Sequence, residues 1–167
     1  MKIDLPNYPN YPILEDDNIL LRQVVMADIP QIIEITFFDA KPAKSAVEAI
    51  KMQDRINQDY EKGTCYNWLI VDKNKDEIVG SCGYHGGFLE KIGEVGCVMK
   101  SKYCGQGYMT KALLLAIDYG FKELKLSKII AVTTKSNTKA MALLGRLGFE
   151  KEKDLEDESV LYSRLNI

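Results

Sequence analysis

Residues Ile92–Leu113 read IGEVGCVMKSKYCGQGYMTKAL, and the reading of this stretch decides the architecture. Ile92–Met99 is an apolar run of strand length. A loop with glycines at 105 and 107 follows. Then comes Thr110–Leu124, the strongest helical pattern in the chain, where Leu113, Ala116, Ile117, Gly120, Phe121 and Leu124 recur at helical spacing. Ser127 or Lys128 opens another β run, IIAVTT, ending at Thr134. Two strands joined through a helix lie parallel in one sheet, because a hairpin cannot make so long a crossover. At the junction, the free N–H groups of the helix start and the positive end of its dipole attract an anion. Glycines at 105 and 107 remove side chains that would hold a phosphate at a distance. A tight turn needing glycine only for its dihedrals reads the same way, since G-x-G alone is a weak pattern.

Outward from this core, Cys65–Asp72 and Glu77–Tyr84 flank the polar turn Lys73–Asp76 and read as a hairpin. Asn18–Val24 is a first strand. Asp28 and Gln31 have capping-box spacing, with Pro30 in the first turn and an apolar stripe at Ile29, Ile33 and Phe37. Ser45 with Glu48 opens a second helix reaching about Tyr60, whose weaker periodicity places it on the periphery. Asn137–Leu147 is a short helix closed by Gly148. Glu150–Asp157 and Val160–Leu165 form a final antiparallel pair. Three of the five prolines fall in the first twelve residues, so residues 1–17 are an irregular lead-in. The expected fold is α+β: one mixed, mostly antiparallel sheet with helices on both faces.

Composition narrows the function classes. The chain has 167 residues, 46% apolar and 28% charged, which suits a single domain spanning 1–167. A formal charge of −2 argues against nucleic acid or an anionic membrane as partner. No apolar run is long enough to span a bilayer, and the N-terminus lacks a signal-peptide core. Four cysteines without a C-x-x-C pair, and one histidine, argue against a structural metal and for a reducing, cytoplasmic setting. The common phosphate folds also fail. The dinucleotide fingerprint needs a third glycine where Thr110 stands and an acid after the next strand. A Walker A loop needs a Gly-Lys dipeptide, which is absent.

The junction does resemble the Q/R-x-x-G-x-G/A motif of the GNAT superfamily of N-acetyltransferases. Together with N-T-K-A-M-A-L-L-G-R-L-G-F at 137–149, the stretch 92–113 is similar to the branch that acetylates N-termini of ribosomal proteins. The resemblance runs from Ile19 to Leu165 and includes the order of elements. It implies a sheet whose central parallel pair splays apart to admit the pantetheine arm of acetyl-CoA. It further implies that Gly105, Gln106, Gly107, Tyr108 and Met109 offer backbone amides to the pyrophosphate. Lys102 stands at the Gln/Arg position, keeping a charge without the fork. Val98 and Met99 match the strand that pairs with the arm, and an N–H there can polarise the thioester carbonyl. Core packing is the plainer role for both side chains. Asn137 matches an asparagine that holds the arm, and is equally a good N-cap.

The resemblance implies direct attack by a substrate amine on the thioester, so one group must take the amine's proton and another must protonate the thiolate. Glu94 stands at the branch's carboxylate position before the splay, acting through water, or is a solvated strand charge. His85 is an alternative base, or a turn residue before Gly86-Gly87. The thiolate acid departs from the family: Leu144 and Ala140 replace its tyrosine and serine, which leaves Tyr103, Tyr108, Tyr119 or water. Gly145 is unexpected in a helix interior. Acceptor walls are expected around Phe37–Ala46 and Glu156–Ser159. There Asp154, Glu156, Asp157 and Glu158 either attract a cationic amine, polyamine or peptide N-terminus or form a solvated acidic turn. Trp68 reads as core. The expected function is acetyl-CoA-dependent transfer to a protein N-terminus or small amine, by a monomer or homodimer. A non-catalytic acyl-CoA-binding module is the alternative, and a nucleotide-binding oxidoreductase survives only if the loop takes a dinucleotide.

Overall fold

Alternating apolar residues in the middle of the chain build a sheet with two buried faces, each covered by its own helices. The computed structural model describes residues 2–167. In chain order the elements are β1 (Leu14–Glu15), β2 (Ile19–Arg22), α1 (Ile29–Ile32), β3 (Phe37–Phe38), β4 (Lys41–Pro42), α2 (Ala46–Glu61), β5 (Tyr66–Asp72), β6 (Glu77–His85), β7 (Ile92–Met99), α3 (Tyr108–Lys122), β8 (Lys128–Thr134), α4 (Thr138–Arg146), β9 (Glu150–Asp154) and β10 (Ser159–Leu165). Eight strands form one sheet in the order β1-β2-β5-β6-β7-β8-β10-β9, and β3 and β4 make a separate two-stranded ribbon. Every pairing is antiparallel except β7 with β8, which are joined through α3 as the connection length requires.

Strand periodicity sorts the core into two layers. Ile19, Leu21, Trp68, Ile70, Val79 and Tyr84 face one side, where Leu113, Ala116 and Ile117 of α3 cover them. Leu69, Val71 and Ile78 face the other side, against Ile29 and Ile32 of α1 and Ala49 of α2. Tyr84 ties α3 to the sheet: its hydroxyl donates to the Ala116 carbonyl at 2.7 Å. Gly120 makes room for it, since a Cβ there would collide with the Tyr84 hydroxyl and stand 2.9 Å from Cζ.

Four expectations change. The lead-in is irregular only as far as Ile13. Leu14–Glu15 pairs with β2, and Leu5 and Tyr11 are buried. The Tyr11 hydroxyl bridges the Asn67 main chain at 2.7 and 2.8 Å, and the Trp68 indole donates to the Pro12 carbonyl at 2.9 Å. The first helix is a single α turn between 3-10 turns, and Phe37 falls in the ribbon. Asp28 makes no box with Gln31. It accepts from the Val25 N–H at 2.9 Å and from the two terminal guanidinium nitrogens of Arg22 at 2.8 and 2.9 Å, which neutralise its buried carboxylate. Finally, α2 is not peripheral: it buries Ala49, Gln53 and Asn57. Its apolar periodicity is weak because its inner face is polar. At its start Ser45 caps Glu48 as expected, while the Glu48 carboxylate turns to the Lys44 N–H. Gly145, for its part, lies on an open surface, with no atom within 4 Å of a Cβ built there.

Overpacking a filled core costs about 1–3 kcal/mol. Gly120→Ala should therefore lower the unfolding free energy by that amount, read as a lower urea midpoint with an unchanged slope. An unchanged midpoint would mean that the Tyr84 ring does not fill the space.

Candidate active site

The parallel pairing of β7 and β8 is short. It joins Ile92 to Lys128, Gly93 to Ile129 and Glu94 to Ile130, and stops there. Both strands continue: β7 stays paired with β6 out to Met99, and β8 with β10 out to Thr134. The sheet thus forks after Glu94. The Lys100 N–H donates to the Val79 carbonyl at 2.9 Å. Because an antiparallel ladder alternates, Val98 and Gly96 also turn their N–H and C=O to β6, while Cys97 and Met99 turn theirs to the fork. Of the two residues singled out in the sequence, Met99 presents main chain to the gap, and the Val98 main chain is taken up by β6. Cys97 was not singled out. The strand's parity points to it, but only once the pairing with β6 is known.

At the tip of the fork the chain passes through a 3-10 turn at Ser101–Tyr103 into α3. Gly105 and Gly107 both take left-handed dihedrals, φ +76° and +85°, and Gly107 is the N-cap. No heavy atom lies within 4 Å of a Cβ built on either glycine. The first intrahelical bond is from Lys111 N–H to the Gly107 carbonyl, so the N–H groups of Gly107, Tyr108, Met109 and Thr110 have no helical acceptor. Bare main chain, open space and a helix N-terminus suit a diphosphate. Lys102 is exposed beside it, its ammonium 5.0 Å from the Tyr103 ring centre. Gln106 folds back, its amide donating to the Lys102 carbonyl at 3.1 Å. Across the fork, Asn137 caps α4 by accepting from the Ala140 N–H at 3.1 Å.

On the opposite face of the sheet from α3, a cavity of about 640 Å³ opens between α2, the Phe37–Ala40 segment and strands β5, β6 and β7. Its floor is β6 and β7, with Ser81, Gly83, His85, Gly96 and Val98; Gln53 and Asp59 approach from α2. A buried amide ladder stiffens the wall: Gln53 donates to Asn57 at 3.0 Å and accepts from Asn67 at 3.4 Å. The expected wall at Phe37–Ala46 is therefore present in part. The Glu156–Ser159 hairpin does not line this cavity, and two of the four acids around it are engaged elsewhere. Asp154 pairs with Lys151 at 2.9 Å and Glu158 with Lys135 at 3.9 Å.

Glu94, the last residue of β7 to pair with β8, stands opposite His85 of β6. Its Oε2 lies 2.9 Å from His85 Nε2. This hydrogen bond is the main reason the imidazole pKa lies above its ordinary 6.5, and partial burial opposes it. The tyrosines considered as thiolate acids are occupied. The Tyr103 hydroxyl bonds Glu77, and the Tyr108 hydroxyl bonds Asp72, which pushes its pKa to about 12. Tyr119 packs edge-on to Tyr66 and Trp68, and burial raises its pKa. Leu144 is buried in the core. Water is what remains of that set.

Residues 18–150 match the family model of the acetyltransferase (GNAT) domain. The chain is 30% identical to the uncharacterised N-acetyltransferase p20 of Bacillus licheniformis, over 91% of this chain and 83% of that protein. It is 32% identical to the spermidine N(1)-acetyltransferase of Escherichia coli, over 59% of this chain and 58% of that one. Among solved structures, the ribosomal-protein-S5-alanine acetyltransferase of Vibrio fischeri superimposes with a TM-score of 0.79 at 22% identity, covering 93% of this chain and 97% of that one.

Because the His85 pKa is raised on folding, the pair's contribution to stability is present below pH 6.5 and fades as pH rises through the folded value. The lone imidazole resonance should titrate above 6.5 and fall on Glu94→Gln, and that variant should lose more stability at pH 6 than at pH 9. A titration unmoved by the substitution would show that the two side chains are not paired. The forked sheet and the match over residues 18–150 lead to one conclusion: the chain belongs to the GNAT family of N-acetyltransferases.

Proposed function

We propose that this chain moves the acetyl group of acetyl-CoA directly to a primary amine, using the fork between β7 and β8 for the pantetheine arm. The observation that carries this reading is the ending of the parallel ladder at Glu94 and Ile130, with unpaired main chain beyond it. An extended arm can take up those groups as an added strand would. The turn at Gly105–Gly107 then receives the diphosphate, with Tyr108, Met109 and Thr110 as further N–H donors. Lys102 supplies charge from outside, and Asn137 is available to the arm from across the fork. Cys97 or Met99 N–H is the donor for the thioester oxygen, stabilising charge that grows as the amine attacks.

The acceptor enters from the opposite face. The cavity there is lined by Asp39 and Asp59 and by no lysine or arginine. That balance favours an ammonium group and rejects an anion. Both a small amine and a protein N-terminus satisfy it, and the relatives include enzymes named for each class. The amine must lose a proton to become a nucleophile, and the His85–Glu94 pair is the basic group on the cavity side. With its neighbouring tyrosines engaged, the leaving thiolate takes its proton from solvent, which a good leaving group tolerates.

Calorimetry should show coenzyme A binding in preference to NAD or ATP. Gly107→Val, which puts a branched side chain in the anion cradle at a left-handed φ, should abolish that binding while leaving the circular dichroism spectrum unchanged. Thiol release from acetyl-CoA, screened over amines, polyamines and peptides beginning with Ala or Ser, identifies the acceptor. Tighter binding of NAD than of coenzyme A, or no thiol release from any acceptor, would overturn the reading.

A further inference from the structure

His85 is the chain's only histidine, and its ring lies where β7 loses its parallel partner. Its Nε2 contacts the Glu94 carboxylate at 2.9 Å. A carboxylate only accepts, so in the neutral ring the proton belongs on Nε2, which leaves the lone pair on Nδ1. The far edge of the ring lies over Gly96. A Cβ built there would stand 3.3 Å from Cε1 and 3.7 Å from Nδ1. Glycine at 96 thus lets the imidazole lie against the strand, one residue before Cys97, whose main chain opens onto the fork. Both His85 and Gly96 line the acceptor-side cavity. Of the two paired side chains the imidazole is the more accessible, 60% exposed against 28% for Glu94.

We propose that His85 is the general base of the transfer, with Nδ1 receiving the amine's proton, and that Glu94 is its positioning residue. This inference rests on the acetyl-transfer reading above. The amine nitrogen bonds to the thioester carbonyl carbon and gives its proton to Nδ1. The C–S bond breaks with its electron pair on sulfur, and the imidazolium proton passes through solvent to the thiolate. Glu94 holds the tautomer and orientation and stabilises the imidazolium as it forms, a division of labour familiar from carboxylate–histidine pairs. A base that titrates near the working pH combines the right protonation state with driving force.

Other titratable groups around the cavity make no hydrogen bond or ion pair with the ring. Asp39 comes from the Phe37–Ala40 segment and Asp59 from α2. Cys65 precedes β5 and Tyr66 opens it, Cys97 lies on β7, and Cys82 and Tyr84 lie on the ring's own strand. Burial raises the pKa of Cys65 and Cys97 to about 12 and keeps both neutral at working pH; it also raises Cys82 and Tyr84. The imidazole is the group that Glu94 holds against the cavity floor, so the low-pH limb of activity is assigned to His85.

Nitrogen-15 spectra of the lone histidine in the full chain, at a pH where it is neutral, should show Nε2 protonated and Nδ1 bare. With saturating acetyl-CoA, and spermidine and an Ala-initiated peptide as acceptor probes, wild type should show an acidic limb in kcat/KM. His85→Gln, whose amide can still donate to Glu94, should lower kcat/KM about 10²–10⁴-fold and remove that limb while coenzyme A affinity is unchanged. Glu94→Gln should keep the limb but move it to lower pH. An Nδ1-protonated tautomer, or a His85→Gln enzyme within about threefold of wild type with the limb intact, would overturn the dyad and leave the acetyl-transfer reading standing. A wild-type chain that neither binds coenzyme A nor releases thiol would overturn both.

Discussion

Everything in this structure depends on two parallel strands that pair for three residues and then part. Main-chain N–H and C=O groups are obligatory hydrogen-bonding groups. A sheet that stops pairing in its middle must therefore offer them to water or to a ligand. The fork persists because each half of the sheet is complete in itself. β6 holds β7 to its last residue, and β10 holds β8 to its last residue. Neither strand can swing toward the other without breaking a full ladder on its outer side. What would be a defect elsewhere becomes a slot of fixed width, ending at a helix whose first N–H groups are also free.

The two faces of the sheet then divide the work. The α3 face supplies rigidity, with Tyr84 bonded to Ala116 and seated against Gly120. The α2 face is left hollow, with a polar wall built from Gln53, Asn57 and Asn67. On the proposed reading, an amine and a thioester approach the same point from opposite sides without competing for space. Burial of apolar surface stabilises one face, and the other gives up part of that contribution to leave a site.

Legibility in the sequence followed this division. Ile92–Met99, the helix after it and the next strand were plain, because their apolar period is set by the packed face. The parallel crossover followed from connection length alone. The helix began two residues earlier than its periodicity suggested, because Gly107 caps it by dihedral rather than by side chain. The α2 helix was misplaced to the periphery for the opposite reason: its buried residues at 53 and 57 are amides, so a search for apolar spacing undervalues it. The first helix was overextended because Ile29, Ile33 and Phe37 keep helical spacing through a 3-10 turn and into a ribbon. Within the site, Gly105 and Gly107 were readable as a bare turn. Which of Val98, Met99 and Cys97 faces the fork depends on pairing with β6, a long-range fact that local spacing does not hold. The contact between His85 and Glu94 was equally hidden, since cross-strand register brings together two residues that read separately as a turn histidine and a strand-end acid.

The most direct measurement of the central claim is amide hydrogen exchange, followed residue by residue, with and without coenzyme A. Cys97 and Met99 should exchange quickly in the free chain and become protected together when coenzyme A is added, as the arm takes the place of a missing strand. If both amides are already protected in the free chain, or remain fast in the complex while protection appears elsewhere, the fork is not where the arm lies.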